Sequence, residues 1–273
     1  MKRKRYTMNI DLEGQTAIVT GSSSGLGRAC ALGLAAEGMN VVINYHSSKE
    51  EADGTAREIE DRGGKSIVVQ ADVSKEEDVM RLFEECDKAF GHLDLLVANA
   101  GLQADAAFTE MTLEQWNRAL SVDLTGQFLC CRQAARVFRK QGVHEHSRSA
   151  GKIICMSSVH DEIPWSGHVN YAAAKGGVKM MMESMAQELA GNKIRVNAIS
   201  PGAIRTDINK AAWGTEEAME NLLTLIPYGR IGESEDVANL CAFLASDVSD
   251  YITGATIYID GGMMLYPGFR YGG

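Results

Sequence analysis

Tyr171 and Lys175 stand four residues apart, in a segment that opens with Ser157 and Ser158. On a helix, side chains at i and i+4 are neighbours on one face. A phenol with a pKa near 10 is a poor base at pH 7. An adjacent ammonium favours the phenolate, and each unit of lowering asks about 1.4 kcal/mol of the site. Such a pair suits removal of an alcohol proton as hydride leaves the same carbon, since a general base works best when matched to the working pH. Ser158, thirteen residues before Tyr171, adds a hydroxyl able to hold the substrate oxygen as its charge changes. Alone, a Y-x-x-x-K pair is equally an ordinary solvated helix face, so the rest of the chain must decide.

Hydride chemistry needs a cofactor, and "TAIVTGSSSGLGRACALGLA" (16–35) offers a place for one. Gly21, Gly25 and Gly27, with Ser23, Ser24 and Leu26 between them, join an apolar run to a helical pattern. Free backbone N–H groups and the positive end of the helix dipole meet phosphates at such a junction. Gly21 permits the tight turn, Gly25 lets backbone approach a pyrophosphate, and Gly27 lets the helix pack near the sheet.

These side chains require a rigid frame. Short apolar runs recur at 16–20, 40–44, 66–70, 94–98, 152–156, 194–199 and 256–260. They are rich in Val and Ile and continuous rather than alternating, as in parallel strands buried on both faces. Helical stretches lie between them. Ser74 with Glu77, and Thr112 with Gln115, read as capping boxes; Gly38, Gly63 and Gly91 fall where helices should stop. The pattern predicts a single-domain, doubly wound (Rossmann) parallel sheet of about seven strands with helices on both faces. Residues 1–10 read as a frayed tail. The polar segment 139–152 reads as an exposed loop, and HEH at 144–146 as part of it rather than as a metal site. Residues 209–227 are helical in pattern but leave the strand rhythm. They read either as a lid over the substrate or as core packing.

The ordered motifs TGSSSGLG (20–27), ADV (71–73), ANAG (98–101), the Ser158/Tyr171/Lys175 trio, SPGAIRT (200–206) and DGG (260–262) resemble the short-chain dehydrogenase/reductase family along nearly the whole chain. The resemblance implies Asp72 and Val73 near the adenine, and Asn99, Ala100 and Gly101 beside the cofactor. It further implies that Pro201, Gly202, Ile204 and Thr206 frame the nicotinamide, and that Lys175 bonds the nicotinamide ribose while Tyr171 faces the ring. Asp123 stands where the family usually has asparagine. Its carbonyl keeps the implied water relay, while its carboxylate would raise the Lys175 pKa. Asn44 and Tyr45 end the second run with no carboxylate before Glu50 and no clear Arg or Lys partner, which leaves both NAD and NADP open.

Local segments after Ser158 and at the C terminus are most similar to the glucose 1-dehydrogenase branch of that family. That likeness implies oxidation of the C1 hydroxyl of β-D-glucose to the lactone, with His160, Glu162 and Trp165 as sugar contacts beside Ser158 and Tyr171. A structured loop without sugar contact is the other reading of those three. Another sugar or polyol dehydrogenase, a 3-oxoacyl-carrier-protein reductase, or a non-catalytic NAD(P)-binding regulator would share much of the pattern.

Composition sets outer bounds. A net charge of −9 argues against nucleic-acid partners, and no apolar run approaches ~18 residues, as a membrane span requires. Six cysteines without a C-x-x-C pair point to buried, reduced thiols and a cytoplasmic setting. The Met-rich stretch 176–190 reads either as a homotetramer contact or as core.

Overall fold

The computed structural model describes residues 10–265, apart from the side chains of residues 207, 208 and 211. The expected 1–10 tail thus lies outside the described residues except for Ile10, as does the C-terminal segment beyond Leu265. Seven strands form one sheet: β1 Thr16–Val19, β2 Asn40–Tyr45, β3 Ser66–Gln70, β4 Leu95–Ala98, β5 Gly151–Met156, β6 Ile194–Pro201 and β7 Thr256–Ile259. Their order is β3-β2-β1-β4-β5-β6-β7, and every pairing is parallel. The chain winds one way from β1 to β3 and the other way from β4, so the topological switch point falls between β1 and β4.

Apolar residues at successive strand positions supply both faces. Ile18, Val42, Leu96 and Ile153 pack against one set of helices: α3 (Glu76–Phe90), α5 (Gln127–Gln141) and α6 (Val169–Leu189). Ala17, Val19, Val41, Ile43, Leu95 and Val97 pack on the other side, against α1 (Gly25–Ala36), α2 (Lys49–Asp61) and α8 (Ser234–Ala245). Helix α4 (Leu113–Leu120) runs into α5 through a π-helical segment, Ser121–Gly126. Helix α7 (Glu216–Thr224) belongs to the excursion after β6 and buries none of its described side chains.

Gly38, Gly63 and Gly91 end α1, α2 and α3 with positive φ, as their spacing foretells. The Thr112–Gln115 box also forms: Gln115 N donates to Thr112 Oγ1 at 3.2 Å and Thr112 N donates to Gln115 Oε1 at 2.9 Å. The Ser74–Glu77 box does not. Ser74 Oγ donates instead to Asp72 Oδ1 at 2.6 Å, and α3 starts one residue later with no side-chain cap. A carboxylate two residues upstream outcompetes the helix end for that hydroxyl. The 139–152 segment is also less exposed than its polarity implies. Helix α5 extends to Gln141, Ser147 and Ser149 are buried, and His144 Nε2 turns inward to the buried Asp94 carboxylate at 2.8 Å. All six cysteines are buried free thiols. The methionines of α6 divide, Met182 entering the core and Met180 pointing outward. No helix among the described residues is long and apolar enough to cross a membrane.

Gly151 opens β5 directly under Phe138 of α5, where an added Cβ would come within 2.2 Å of the ring. Gly151→Ala must displace a fully buried aromatic, and overpacking of this kind costs about 1–3 kcal/mol. A fall in the thermal unfolding midpoint, with the circular dichroism spectrum unchanged at 25 °C, is the expected result.

Candidate active site

A cleft of about 630 Å³ runs across the carboxyl ends of the strands at the switch point. Gly21, two residues past the end of β1, lines it together with Tyr45, Asp72, Asn99, Ser157 and Thr206 from beyond or near the ends of the neighbouring strands. From the wall opposite the glycine turn come Asp123, Tyr171 and Lys175. Parallel pairing gathers the strand-end residues, since it brings all the carboxyl ends to one edge, and the helical segments add the other three.

The glycine turn is clamped from both sides. Asn44 Oδ1 accepts the Gly21 N–H at 3.0 Å, and its Nδ2 is shared among the carbonyls of Tyr45, Val69 and Ala71 at 3.1–3.3 Å. From β4, Asn99 Nδ2 donates to Thr20 O at 2.9 Å and Gly21 O at 3.1 Å. Thr20 Oγ1 accepts the N–H groups of Asn99 and Ala100 at 2.9 and 3.0 Å. The whole Asn44 amide and the Asn99 N–H₂ are thus taken by protein backbone. Asn44 and Asn99, read from sequence as cofactor contacts, hold the turn through their side chains. The glycines obey the same geometry. A Cβ on Gly27 would sit 2.3 Å from Gly21 O and 2.5 Å from Asn99 Nδ2, whereas Gly25, at φ +55°, has open space before it apart from a Thr206 methyl at 4.0 Å.

That open space tests whether the residues fit a dinucleotide. Ser24 precedes α1 without a side-chain cap, so the first-turn N–H groups face the cleft unclaimed by it. With Gly25 lacking a side chain there, a pyrophosphate fits against the helix start. Asp72 stands at the far end. Burial acts to raise its pKa, but hydrogen bonds from Ser74 and the charges of His46 and Lys75 outweigh it and hold the carboxyl below its ordinary range. His46, Ser47, Ser48, Arg118 and Val122 also line the cleft.

At the near end, Lys175 is only 3% exposed. Its Nζ donates to Met156 O at 3.1 Å, lies 3.5 Å from Asp123 Oδ2, and sits 5.4 Å from the centre of the Tyr171 ring. Burial disfavours the ammonium, yet Asp123 and Tyr171 more than compensate and leave the Lys175 pKa raised. Burial likewise raises Asp123, against the opposing pull of Lys175 and of the Leu102 N–H that Oδ1 accepts at 2.8 Å. The tyrosine hydroxyl meets no protein donor or acceptor among the described residues.

Not every expected residue reaches the cleft. Ser158 lies beside it, 6% exposed, with Oγ accepting the His160 N–H at 3.2 Å. Val73 lines the cleft beside Asp72, but Pro201, Gly202 and Ile204 do not line it, and Gly202 instead lets β6 pass close to Asp260. Glu162 is paired with Lys179, away from the cleft. Trp165 stacks on His160 at 4.3 Å and on His168 at 3.5 Å, both nearly parallel. Two rings at those separations cannot share one face, so imidazoles cover both sides of the indole. His160 Nδ1 meets Ile163 O at 3.0 Å, and burial lowers its pKa. A carbonyl only accepts, so the neutral ring carries its proton on Nδ1.

Asn44→Ala removes the Gly21 acceptor and leaves three carbonyls without that donor. Loss of buried hydrogen bonds of this kind costs about 1–3 kcal/mol. Fluorescence titration with NADH and NADPH should show both binding about tenfold more weakly, together with a lowered melting midpoint.

Residues 21–264 match the protein family described as enoyl-(acyl carrier protein) reductase. The chain is 47% identical over 262 residues to 3beta-hydroxysteroid dehydrogenase 1 of Eggerthella lenta, covering 96% of this chain and 98% of that one. It is 44% identical over 258 residues to glucose 1-dehydrogenase 2 of Bacillus subtilis, covering 94% and 97%. Among solved structures, a gluconate 5-dehydrogenase from Burkholderia cenocepacia, in complex with NADP and tartrate, superposes with a TM-score of 0.87 at 32% identity, covering 94% of this chain and 98% of that one. With this fold, this cleft and these relatives, the chain belongs to the short-chain dehydrogenase/reductase family and uses NAD or NADP.

Proposed function

We propose that Tyr171, Lys175 and Ser158 act together on a hydroxyl carried by a ring carbon, with β-D-glucose C1, giving gluconolactone, as the leading substrate. The observation that carries this reading is the buried Lys175 ammonium, wedged between the Met156 carbonyl and Asp123 and facing the Tyr171 ring across the same cleft as the glycine turn. The bound nicotinamide supplies the hydride acceptor. The Lys175 charge stabilises Tyr171 as the phenolate, which takes the hydroxyl proton and becomes the neutral phenol as hydride leaves the same carbon. The Ser157 hydroxyl already donates its hydrogen bond to Asp161 at 2.7 Å. Ser158, whose Oγ accepts the His160 N–H, keeps an O–H to offer the substrate oxygen. Residues 209–227 would cover the substrate: Tyr228 N bonds Gly261 O at 2.9 Å, which ties the end of this excursion to the turn after β7.

Glucose is supported by the Bacillus subtilis relative. A 3β-hydroxysteroid is the second reading, favoured by two observations beside the relative from Eggerthella lenta. Glu162 is taken by Lys179, and neither face of Trp165 is free for a sugar ring. Purified protein offered glucose, other sugars and polyols, and 3β-hydroxysteroids, each with NAD+ and NADP+, separates the two by the rate of nicotinamide reduction. Turnover of acetoacetyl thioesters alone would replace both with a carrier-protein reductase, and cofactor binding without any turnover would leave a regulator.

Tyr171→Phe should abolish turnover, by more than about 10³-fold, while NADPH affinity stays within about twofold. Full activity in this variant would sink the proposal. Asp123 supplies the second test. Its carboxylate offsets part of the ammonium's field and holds the Lys175 pKa up. Asp123→Asn leaves that field less opposed, so the phenolate forms more readily. The rising limb of kcat/KM against pH for alcohol oxidation should move to lower pH, by about one unit. An unmoved or upward-shifted limb contradicts the pairing.

A further inference from the structure

Beyond Ser158 the chain makes a single 3₁₀ turn, Val159–Asp161, and its last residue carries a carboxylate. Asp161 Oδ2 accepts the hydroxyls of Ser157 at 2.7 Å and Ser200 at 2.6 Å, and Oδ1 accepts that of Tyr258 at 2.9 Å. The three donors come from the end of β5, from β6 and from β7, which are neighbours in the sheet. One carboxylate therefore laces the turn that bears Ser158 to three adjacent strands. Tyr258 is a dependable donor here, since burial and the Asp161 charge push its pKa up to about 12.

The same lattice reaches α6. Ser157 Oγ lies 3.5 Å from the Lys175 carbonyl, and Lys179, one turn after Lys175, donates to Tyr258 at 3.4 Å while pairing with Glu162. Hydroxyls and charges thus join the turn carrying Ser158 to the helix carrying Tyr171 and Lys175. An apolar side chain filling this corner would avoid the cost of desolvating a carboxylate. What three hydroxyl bonds add over simple packing is a fixed direction.

We propose that Asp161 is the positioning residue for Ser158, setting where its hydroxyl stands relative to Tyr171. The inference rests on the role given to Ser158 above. If Asp161 works through Ser158, its removal matters only while that hydroxyl is present, and a double-mutant cycle reads this directly.

The experiment measures kcat and KM for the best alcohol from the panel, with active sites counted by NADPH titration, in four proteins: the parent chain, Ser158→Ala, Asp161→Asn and the double variant. Ser158→Ala should lower kcat about 10²-fold, as loss of a donor to a developing charge does. Asp161→Asn, which turns an amide N–H₂ toward hydroxyl donors, should lower kcat about tenfold through misplacement. Cofactor KM should not change in either. In the Ser158→Ala background, Asp161→Asn should cost no further rate. Equal losses in both backgrounds, or no loss in either, overturn the inference. A Ser158→Ala protein as active as the parent removes the serine role itself, a failure distinct from one in which only Asp161→Asn is silent. Should Asp161→Asn not fold, Ser200→Ala and Tyr258→Phe each remove one of the three anchors. Each should lower kcat about threefold with the same dependence on Ser158, and background-independent losses again overturn the inference.

Discussion

A lysine ammonium kept at 3% exposure must have its charge answered from within the protein, and around Lys175 that requirement organises the near half of the cleft. One answer is the carbonyl of Met156, the last residue of β5; the other is the carboxylate of Asp123. The second partner explains an irregularity in the helix that carries it. Asp123 sits in the π segment Ser121–Gly126, where the widened turn breaks the ordinary helical repeat. Its Oδ1 takes the Leu102 N–H from the loop beyond β4, while Oδ2 remains 3.5 Å from the ammonium and makes no full hydrogen bond. The carboxylate thus meets the lysine by charge more than by a directed bond. One side chain thereby couples the β4 loop, the α4–α5 junction and α6.

The far half of the cleft follows the opposite rule, because there the protein satisfies itself and leaves room for a ligand. Asn44 and Asn99 spend their side chains on backbone, and Ser22 Oγ donates to Val19 O at 2.7 Å while accepting the Asn44 N–H at 3.1 Å. The turn is rigid before any phosphate arrives. Binding then pays little ordering entropy, and the N–H groups at the start of α1 are held in place for the ligand. Rigidity at Gly21 also constrains β4, since a Cβ there would lie 2.9 Å from Ala100 Cα. Glycine at 21 is a packing requirement as much as a conformational one, with φ at +61°.

Much of this was legible in residue order, for physical reasons. Strands such as Leu95–Ala98 show themselves because burial on both faces forces an unbroken apolar run. The glycines show themselves because a side chain is disfavoured at a positive φ and clashes at a close approach. Tyr171 and Lys175 show themselves through helical spacing. Other features depend on which partner a polar group finds, and sequence distance hides that. Ser74 looked like a helix cap, but Asp72 had the better claim. His144 looked solvated, but Asp94, fifty residues earlier in the chain, drew it inward. Glu162 pairs with Lys179, seventeen residues on, and Trp165 lies between His160 and His168, partners that nothing in the local spacing announces. Asp161 carried no signal at all, since the hydroxyls it gathers come from positions 157, 200 and 258.

The region outside Tyr171 is built from rings and short bonds rather than free charges. His160 and Trp165 stand T-shaped to Tyr171, with ring centres 6.4 and 6.3 Å away, and His168 closes the stack while its Nε2 meets Asp105 at 3.2 Å. Ala106 N donates to Gly167 O at 3.1 Å, so the loop after β4 and the loop after β5 are joined across this stack. A wall made this way resists rotation at each ring, because turning one imidazole would uncover the indole and break a bond to Ile163 or Asp105. It therefore selects ligands by the outline left beside Tyr171. Hydroxyl-rich and apolar rings of similar outline would meet the same wall, so the stack by itself does not tell one from the other.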